Sequence, residues 1–511
     1  MAFYLQHGNI NYFDTGYWAQ VTQLKNYTIL QSYLYLISGK NENLIQLLQF
    51  IAYIVSMISV YGISRKIGFS KYISITCSLL FSMLTENILQ SNTTQNDMLI
   101  AAFTGISVYF LFVFRENKNF SFLILSAVSI GIAIGTKSSY ILIFPLVILI
   151  STYIIFQSNP KNRGKILIFF IVAIVISIAA FALPSGYSEN YKKYSNPFGP
   201  KKIIESHSFS GKPLPFILTN GTKNVFRFFF DFFSLDGMPP THFIYAPQIQ
   251  VKALIGNVIT KMGVNLEDNE ATRQPFSFQK HPTRHEDSSY FGILGFSLIF
   301  FALLISLLKW RPHFDCFVLS VSAFLFFLVQ SYSGYYDPWR GRYFISMAVF
   351  AVPVTGILLK KLEQKSIIAH YIAIIVFVGC ISAMSTVLFR DNSYLMSVYN
   401  QKSIFSMKRI EMLTRNQPAY IATFEKFESI VPKNSIVAVA ITGDTHQYQL
   451  FGHKLTRTII PVYSFMKGNL PIPINAEYLL YEKNFLDNKF YIKEVSDVYL
   501  GNDLFLRNLK I

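Results

Sequence analysis

Four polar stretches interrupt an otherwise apolar chain, and they hold the residues best suited to chemistry on an anion. Residues 90–97 (QSNTTQND) end in Asp97, directly before an apolar run that begins at Met98. A carboxylate there is favoured by the helix dipole and serves as a cap, but eight consecutive polar residues exceed what a cap needs. Residues 135–139 (GTKSS) place Lys137 between two apolar runs, where it either snorkels to the interface or meets a phosphate. Residues 335–344 (YYDPWRGRYF) crowd Arg340 and Arg342 beside Asp337 and five aromatics. Trp and Tyr belong to any interfacial belt, whereas a guanidinium fork matches a phosphate or pyrophosphate. Arg342 is the stronger candidate, because Arg340 has Asp337 as a ready partner. Residues 9–17 (NINYFDTGY) contain Asp14, either a general base for an acceptor hydroxyl or amine or a solvated turn residue. P-loop, GxSxG, HExxH and CxxC motifs are all absent. The external acids are too scattered to imply a metal, and no cofactor is expected.

The elements that carry these residues are membrane spans. Hydrophobic residues make up 52% of the 511 and charged residues 14%, against about 25% charged in soluble domains. A disordered chain, a coiled coil and an ordinary soluble enzyme are thereby excluded. Apolar runs long enough for roughly 30 Å of hydrocarbon cover 44–63, 71–88, 98–114, 120–136, 139–156, 165–186, 290–308, 315–332, 343–359 and 367–389. The run 71–88 is the most diluted, by Thr76, Ser78, Ser82 and Glu86. The class is an all-α polytopic membrane protein of about ten spans. Cys77, Cys316 and Cys380 all lie in apolar runs, so neither a disulfide framework nor a thiolate metal site is expected.

Loop charges predict the sidedness. One alternate set of short loops holds Arg65, Lys66, Lys71, Arg115, Lys118, Lys161, Arg163, Lys165, Lys309, Arg311, Lys360, Lys361 and Lys365, which is 13 cations; the opposite set holds Lys137, Arg340 and Arg342. The positive-inside rule then puts residues 1–43, the loop 187–289 and the tail 390–511 outside the cytoplasm. All four polar stretches fall on that outer side, while span centres stay apolar, unlike a transporter's. The net charge of +17 fits loops held at an anionic membrane face and gives no reason to invoke nucleic acid.

Three regions follow: an external segment 1–43, a membrane domain 44–389 and a tail 390–511. Within the loop 187–289, residues 226–235 (FRFFFDFFSL) read as a helix lying at the interface, and 262–289 lack a period and are expected to be mobile. In the tail, 419–430 reads as a helix and 435–441 as a buried strand. Further strands near 457–464 and 477–481 complete a small external α/β domain.

Taken in order, QSNTTQNDMLIAAF (90–103), GIAIGTKSSYIL (131–142) and GRYFI (341–345) resemble a bacterial branch of the GT-C membrane glycosyltransferases. These are relatives of the protein O-mannosyltransferases and of the aminoarabinose transferase that modifies lipid A. LQHGNI (5–10) and YQLFGHKLTRTIIPV (448–462) resemble the family's first external loop and distal tail. The resemblance implies sugar transfer from a polyprenyl-phosphate donor to a lipid, glycan or protein acceptor, at the outer face of a bacterial cytoplasmic membrane. By position it assigns Asp97, Lys137 and Arg342 to the site. Lys137 and Arg342, with Arg340 secondary, are then expected to hold the donor phosphate, and Asp97 or Asp14 to serve as base. The family pattern has a leading helix and an acidic residue upstream of LQHGNI, so the chain is expected to lack its first transmembrane helix. A lipid-linked-sugar flippase and an inactive truncated relative are the alternatives.

Overall fold

The computed structural model describes residues 1–158, 161–239, 241–363, 367–391, 393–397, 402–443, 447–485, 494 and 496–510. Lys365, one of the thirteen loop cations, lies outside the described residues. The chain forms two compact units, Gln46–Asp391 and Met1–Ile45 with Asn392–Ile511.

The larger unit is a helical membrane domain. Among the described residues, helices long and apolar enough to cross a bilayer are Glu42–Lys66, Asp97–Asn117, Arg163–Ser185, Arg311–Tyr332, Pro338–Leu362 and Ile367–Leu388, with shorter apolar helices at Phe120–Thr136, Phe144–Ser158 and Gly295–Leu308. The diluted run 71–88 is a helix Lys71–Ser82 that breaks at Met83-Leu84 and resumes as Thr85–Gln90. The helices Asp97–Asn117 and Pro338–Leu362 are the most enclosed of these, and the first approaches its neighbours closely because Gly105 is small: a Cβ there would lie 2.6 Å from the Ser59 side chain. Lys118, in the left-handed conformation (φ 55°), ends that helix. The chain returns as Phe120–Thr136, with Ser107 and Ser126 hydrogen-bonded across the hairpin at 2.8 Å.

The two ends of this hairpin differ. At the Asn117 end, Arg115 makes a bidentate pair with Asp315 (2.6 and 2.9 Å) and Tyr153 donates to the same carboxylate at 2.7 Å. That fastens three helix ends beside the predicted cytoplasmic loops. Asp97 lies about 30 Å away by helical rise, at the end that meets the polar loops.

The loop 187–289 is largely helical, with Tyr187–Tyr194, Lys201–His207, Leu214–Phe232 and His242–Lys261. The helix expected near 226–235 is thus the end of a longer one, and its charges point inward. Arg227 is fully buried and donates to Asp268 (2.8 Å) and to the Leu266 carbonyl (2.9 Å), while Asp231 accepts from Tyr336 at 2.9 Å. Residues 262–289, expected to be mobile, are irregular but packed. Leu266, Phe276 and Phe278 are buried, and Asp236 accepts from the backbone N–H of Thr283 and of Tyr290, both at 2.9 Å. Aperiodic sequence marks the absence of a regular element here, and buried hydrogen bonds supply the order.

The smaller unit is α/β. Its strands are β1 (Ile436–Ala440), β2 (Thr458–Pro461), β3 (Tyr463–Ser464), β4 (Gly468–Asn469), β5 (Tyr478–Glu482), β6 (Val498–Gly501) and β7 (Leu504–Asn508). The main sheet runs β2-β1-β5-β7-β6, with β1 parallel to β2 and β5 and the remaining pairs antiparallel; β3 and β4 form a separate hairpin. Val437 and Val439 of β1 face one core and Ala438 and Ala440 the other, so its IVAVA run is apolar on both faces. The helix Ile421–Ile430 adds Phe424 and Phe427 to one core. Residues 1–43, read in the sequence as a segment of their own, contribute Ala2 and Phe3 to that core, and the Gln6 side chain pairs with Ile459 on edge strand β2 (2.8 and 2.9 Å). A side-chain amide that imitates a neighbouring strand satisfies an otherwise open edge.

Candidate functional site

The helix hairpin 97–136 brings together two residues 40 apart in sequence. Asp97 opens one helix, Lys137 follows the other in extended conformation, and Asn96 ties the two ends by donating to the Thr136 carbonyl at 3.1 Å. Lys137 Nζ lies 2.6 Å from Asp97 Oδ1, and Asp97 is 4% exposed.

Arg342 comes from the 3-10 turn Pro338–Phe344. Asp337 caps this turn by accepting from the Trp339 N–H at 3.0 Å. Gly341 lets it lie against the loop: a Cβ there would stand 2.1 Å from the Ser289 carbonyl oxygen. The Arg342 guanidinium then reaches Asp287 (3.0 Å) and Gln95 (2.5 Å), with Nε 3.9 Å from Asp97 Oδ2. Neither Asp97 Oδ2 nor Arg342 Nε has a hydrogen-bond partner among the described residues, and both are buried. The Tyr343 ring backs both cations, at 4.4 Å from Lys137 Nζ and 5.6 Å from the Arg342 guanidinium carbon.

Residues outside the sequence candidates complete this cluster. Gln95 Nε2 donates to Asp287 Oδ1 at 3.0 Å. Beside Asp287, Glu286 pairs with Arg390 at 2.8 Å, and Arg390 also donates to Asn92. Gln90 bridges Glu86 (3.0 Å) and the Glu286 carbonyl (2.6 Å). The loop is fixed from behind by Asp391, which accepts from Arg284 through the backbone N–H and a guanidinium nitrogen, both at 2.9 Å. Asp236 holds the next turn, and burial raises its carboxyl above the usual range. The signal for these residues is RHED (284–287), four ionisable side chains within a loop whose lack of period drew attention away from them.

The other two sequence candidates have partners of their own. Arg340 donates to the Gln330 carbonyl (2.7 Å), Ser333 Oγ (3.1 Å) and the His207 carbonyl (3.3 Å), so it braces the turn that carries Arg342. Asp337, expected as its partner, instead caps the turn and pairs with Arg273 at 3.7 Å. Asp14 belongs to the smaller unit, where it pairs with Lys467 at 2.7 Å and accepts from Ser464 at 3.2 Å. Among the described residues no group of three His, Cys, Asp or Glu is placed to hold a metal ion.

The larger unit thus gathers two cations and two carboxylates at one end of a helical bundle, with buried polar atoms left over. Residues 27–183 match the family model described as dolichyl-phosphate-mannose-protein mannosyltransferase. The fold is similar to that of ArnT from Cupriavidus metallidurans in the apo state, at 11% identity, 95% coverage of this chain, 87% of that one and a TM-score of 0.50. The chain has an ArnT-like GT-C fold. ArnT bound to undecaprenyl phosphate aligns over the same shares at 11% identity and a TM-score of 0.46. The Archaeoglobus fulgidus oligosaccharyltransferase in complex with Zn and sulfate aligns at 11% identity over 91% of this chain and 60% of that one, with a TM-score of 0.41. No curated protein matches the sequence. With this GT-C fold and its apolar helices, the chain is a multi-pass membrane protein.

Proposed function

We propose that the chain is a glycosyltransferase that moves a sugar from a polyprenyl-phosphate donor to an acceptor at the outer face of the cytoplasmic membrane. The observation that carries this reading is the convergence of Lys137 and Arg342 on Asp97. Such a donor already has a competent leaving group, so two requirements fall to the protein. It must stabilise the departing phosphate with fixed cations and take the acceptor's proton. Lys137 and Arg342 suit the departing phosphate, as a point charge and a planar fork, both backed by Tyr343. Asp97 holds Lys137 through Oδ1, and its Oδ2, 3.9 Å from Arg342 Nε and without a hydrogen bond among the described residues, is the oxygen left to accept from an acceptor hydroxyl. Direct displacement at the anomeric carbon inverts its configuration. The outer-face placement rests on the loop charges, which put the Arg115 end of the hairpin in the cytoplasm and the Asp97 end outside.

Equilibrium binding of undecaprenyl phosphate, compared with undecaprenol, tests the phosphate assignment on the purified full chain. Tighter binding of the phosphate, lost in R342A and K137A, is the expected result. Equal affinity for both lipids, or an unchanged preference in R342A, overturns it.

A further inference from the structure

The first part of the loop 187–289 offers a second surface of the membrane unit. Between residues 187 and 218 the chain carries Lys192, Lys193, Lys201, Lys202 and Lys212 against Glu189 and Glu205, and all five lysines are exposed. The following helix, Leu214–Phe232, has two faces. Asn220, Asn224, Arg227 and Asp231 are buried, whereas Leu214, Leu218, Phe226 and Phe229 are exposed, the first two by 65% and 52%. These four recur at helical spacing, so they form one exposed apolar stripe, which begins two residues after Lys212.

Two attachments place this surface at the edge of the bilayer. Helix Tyr187–Tyr194 starts directly after the apolar helix Arg163–Ser185 ends. Helix Leu214–Phe232 is fastened to the end of Arg311–Tyr332: Asn224 donates to the Ser331 and Gly334 carbonyls (3.1 and 3.0 Å), and Thr222 bonds Tyr332 at 2.9 Å. An apolar stripe preceded by five exposed lysines, on elements attached where two spans end, has the chemistry of an interfacial helix on anionic lipid.

We propose that residues 187–229 form a docking surface for anionic phospholipid headgroups, with the Leu214–Phe229 stripe in the acyl boundary and the lysines on the phosphates. The surface then holds the loop 187–289 flat on the membrane. The test uses the full chain in nanodiscs of phosphatidylcholine alone or of an equal mixture with phosphatidylglycerol. Lysine acylation is read residue by residue by mass spectrometry. Lys201, Lys202 and Lys212 are expected to react at least about threefold more slowly in the anionic nanodiscs, with the difference abolished by high salt, as surface electrostatics require. Equal rates in the two compositions overturn the proposal. As a second measurement, K201Q/K202Q/K212Q is expected to retain less phosphatidylglycerol than the parent on purification from mixed lipid, at unchanged Tm. Undiminished retention also overturns it.

Discussion

Replacing Asp97 with asparagine removes the carboxylate that both Lys137 and Arg342 face, and the cost follows from its burial. Asp97 is 4% exposed, with Lys137 at 2.6 Å and Arg342 at 3.9 Å. Losing one partner of a buried pair costs about 3–5 kcal/mol, because the other charge is left uncompensated. D97N falls in that range, since Asp287 alone then balances two cations. K137M leaves Asp97 beside Arg342 and is expected to cost less, about 2–3 kcal/mol on the same reasoning. The double variant D97N/K137M leaves Arg342 with Asp287 and no orphan charge. It should recover most of the loss, a coupling of about 2 kcal/mol or more between neighbours. Thermal unfolding of the full chain in one detergent, analysed as a double-mutant cycle, measures this coupling. The double variant should still bind undecaprenyl phosphate poorly, which separates the pair's part in folding from its part in binding. Additive single effects, or singles within about 0.5 kcal/mol of the parent, would refute the placement of Asp97 between the two cations.

Arg340 braces the turn, so R340A should lower the Tm, at about 1.5–3 kcal/mol for hydrogen bonds from a charged group, with undecaprenyl phosphate affinity of the folded protein falling less than in R342A. G341A drives a Cβ into the Ser289 carbonyl at 2.1 Å; it should cost about 1–3 kcal/mol as an overpacked site and weaken lipid-phosphate binding by displacing Arg342. Burial lowers Lys252 to about 8, although Asp231 and Asp236 favour its charge. The unfolded chain therefore binds the proton more tightly between pH 8 and the ordinary lysine value. Parent stability rises with pH across that window, and K252M should be more stable than the parent by roughly 3 kcal/mol below pH 8, an advantage that fades as pH approaches 10.5. Unfolding midpoints of parent and K252M across this range test the sign; a gain that grows with pH contradicts it.

Residues with a local signature were legible from sequence. The apolar runs marked the membrane helices, and the strands at 435–441 and 477–481 appear as β1 and β5. Asp97, Lys137 and Arg342 stood out as polar groups at the ends of spans, and the hairpin length brings the first two together. Asp287 and Glu286 did not stand out, because their loop has no period; its order comes from Asp236 and Asp391, distant in sequence. Asp337 in the sequence sets Arg340 second to Arg342, but Arg340 is held by carbonyl and hydroxyl oxygens instead. Only the path of the turn, set by Asp337 and Gly341, separates them. Burial of Arg227 and Asp231 was hidden for a related reason: FRFFFDFF shows an amphipathic helix, while Asp268 and Tyr336, which satisfy those charges, lie far along the chain.

The most direct test of the central claim is sugar transfer itself. Membranes lacking this protein are supplied with a labelled polyprenyl-phosphate sugar pool and reconstituted with the parent chain or with R342A. The account predicts label leaving the lipid for an acceptor with the parent, at a rate lowered about 30- to 900-fold in R342A, which corresponds to roughly 2–4 kcal/mol of transition-state stabilisation. Transfer at the parental rate in R342A, or labelled lipid that crosses the membrane with no glycosyl product, would contradict it.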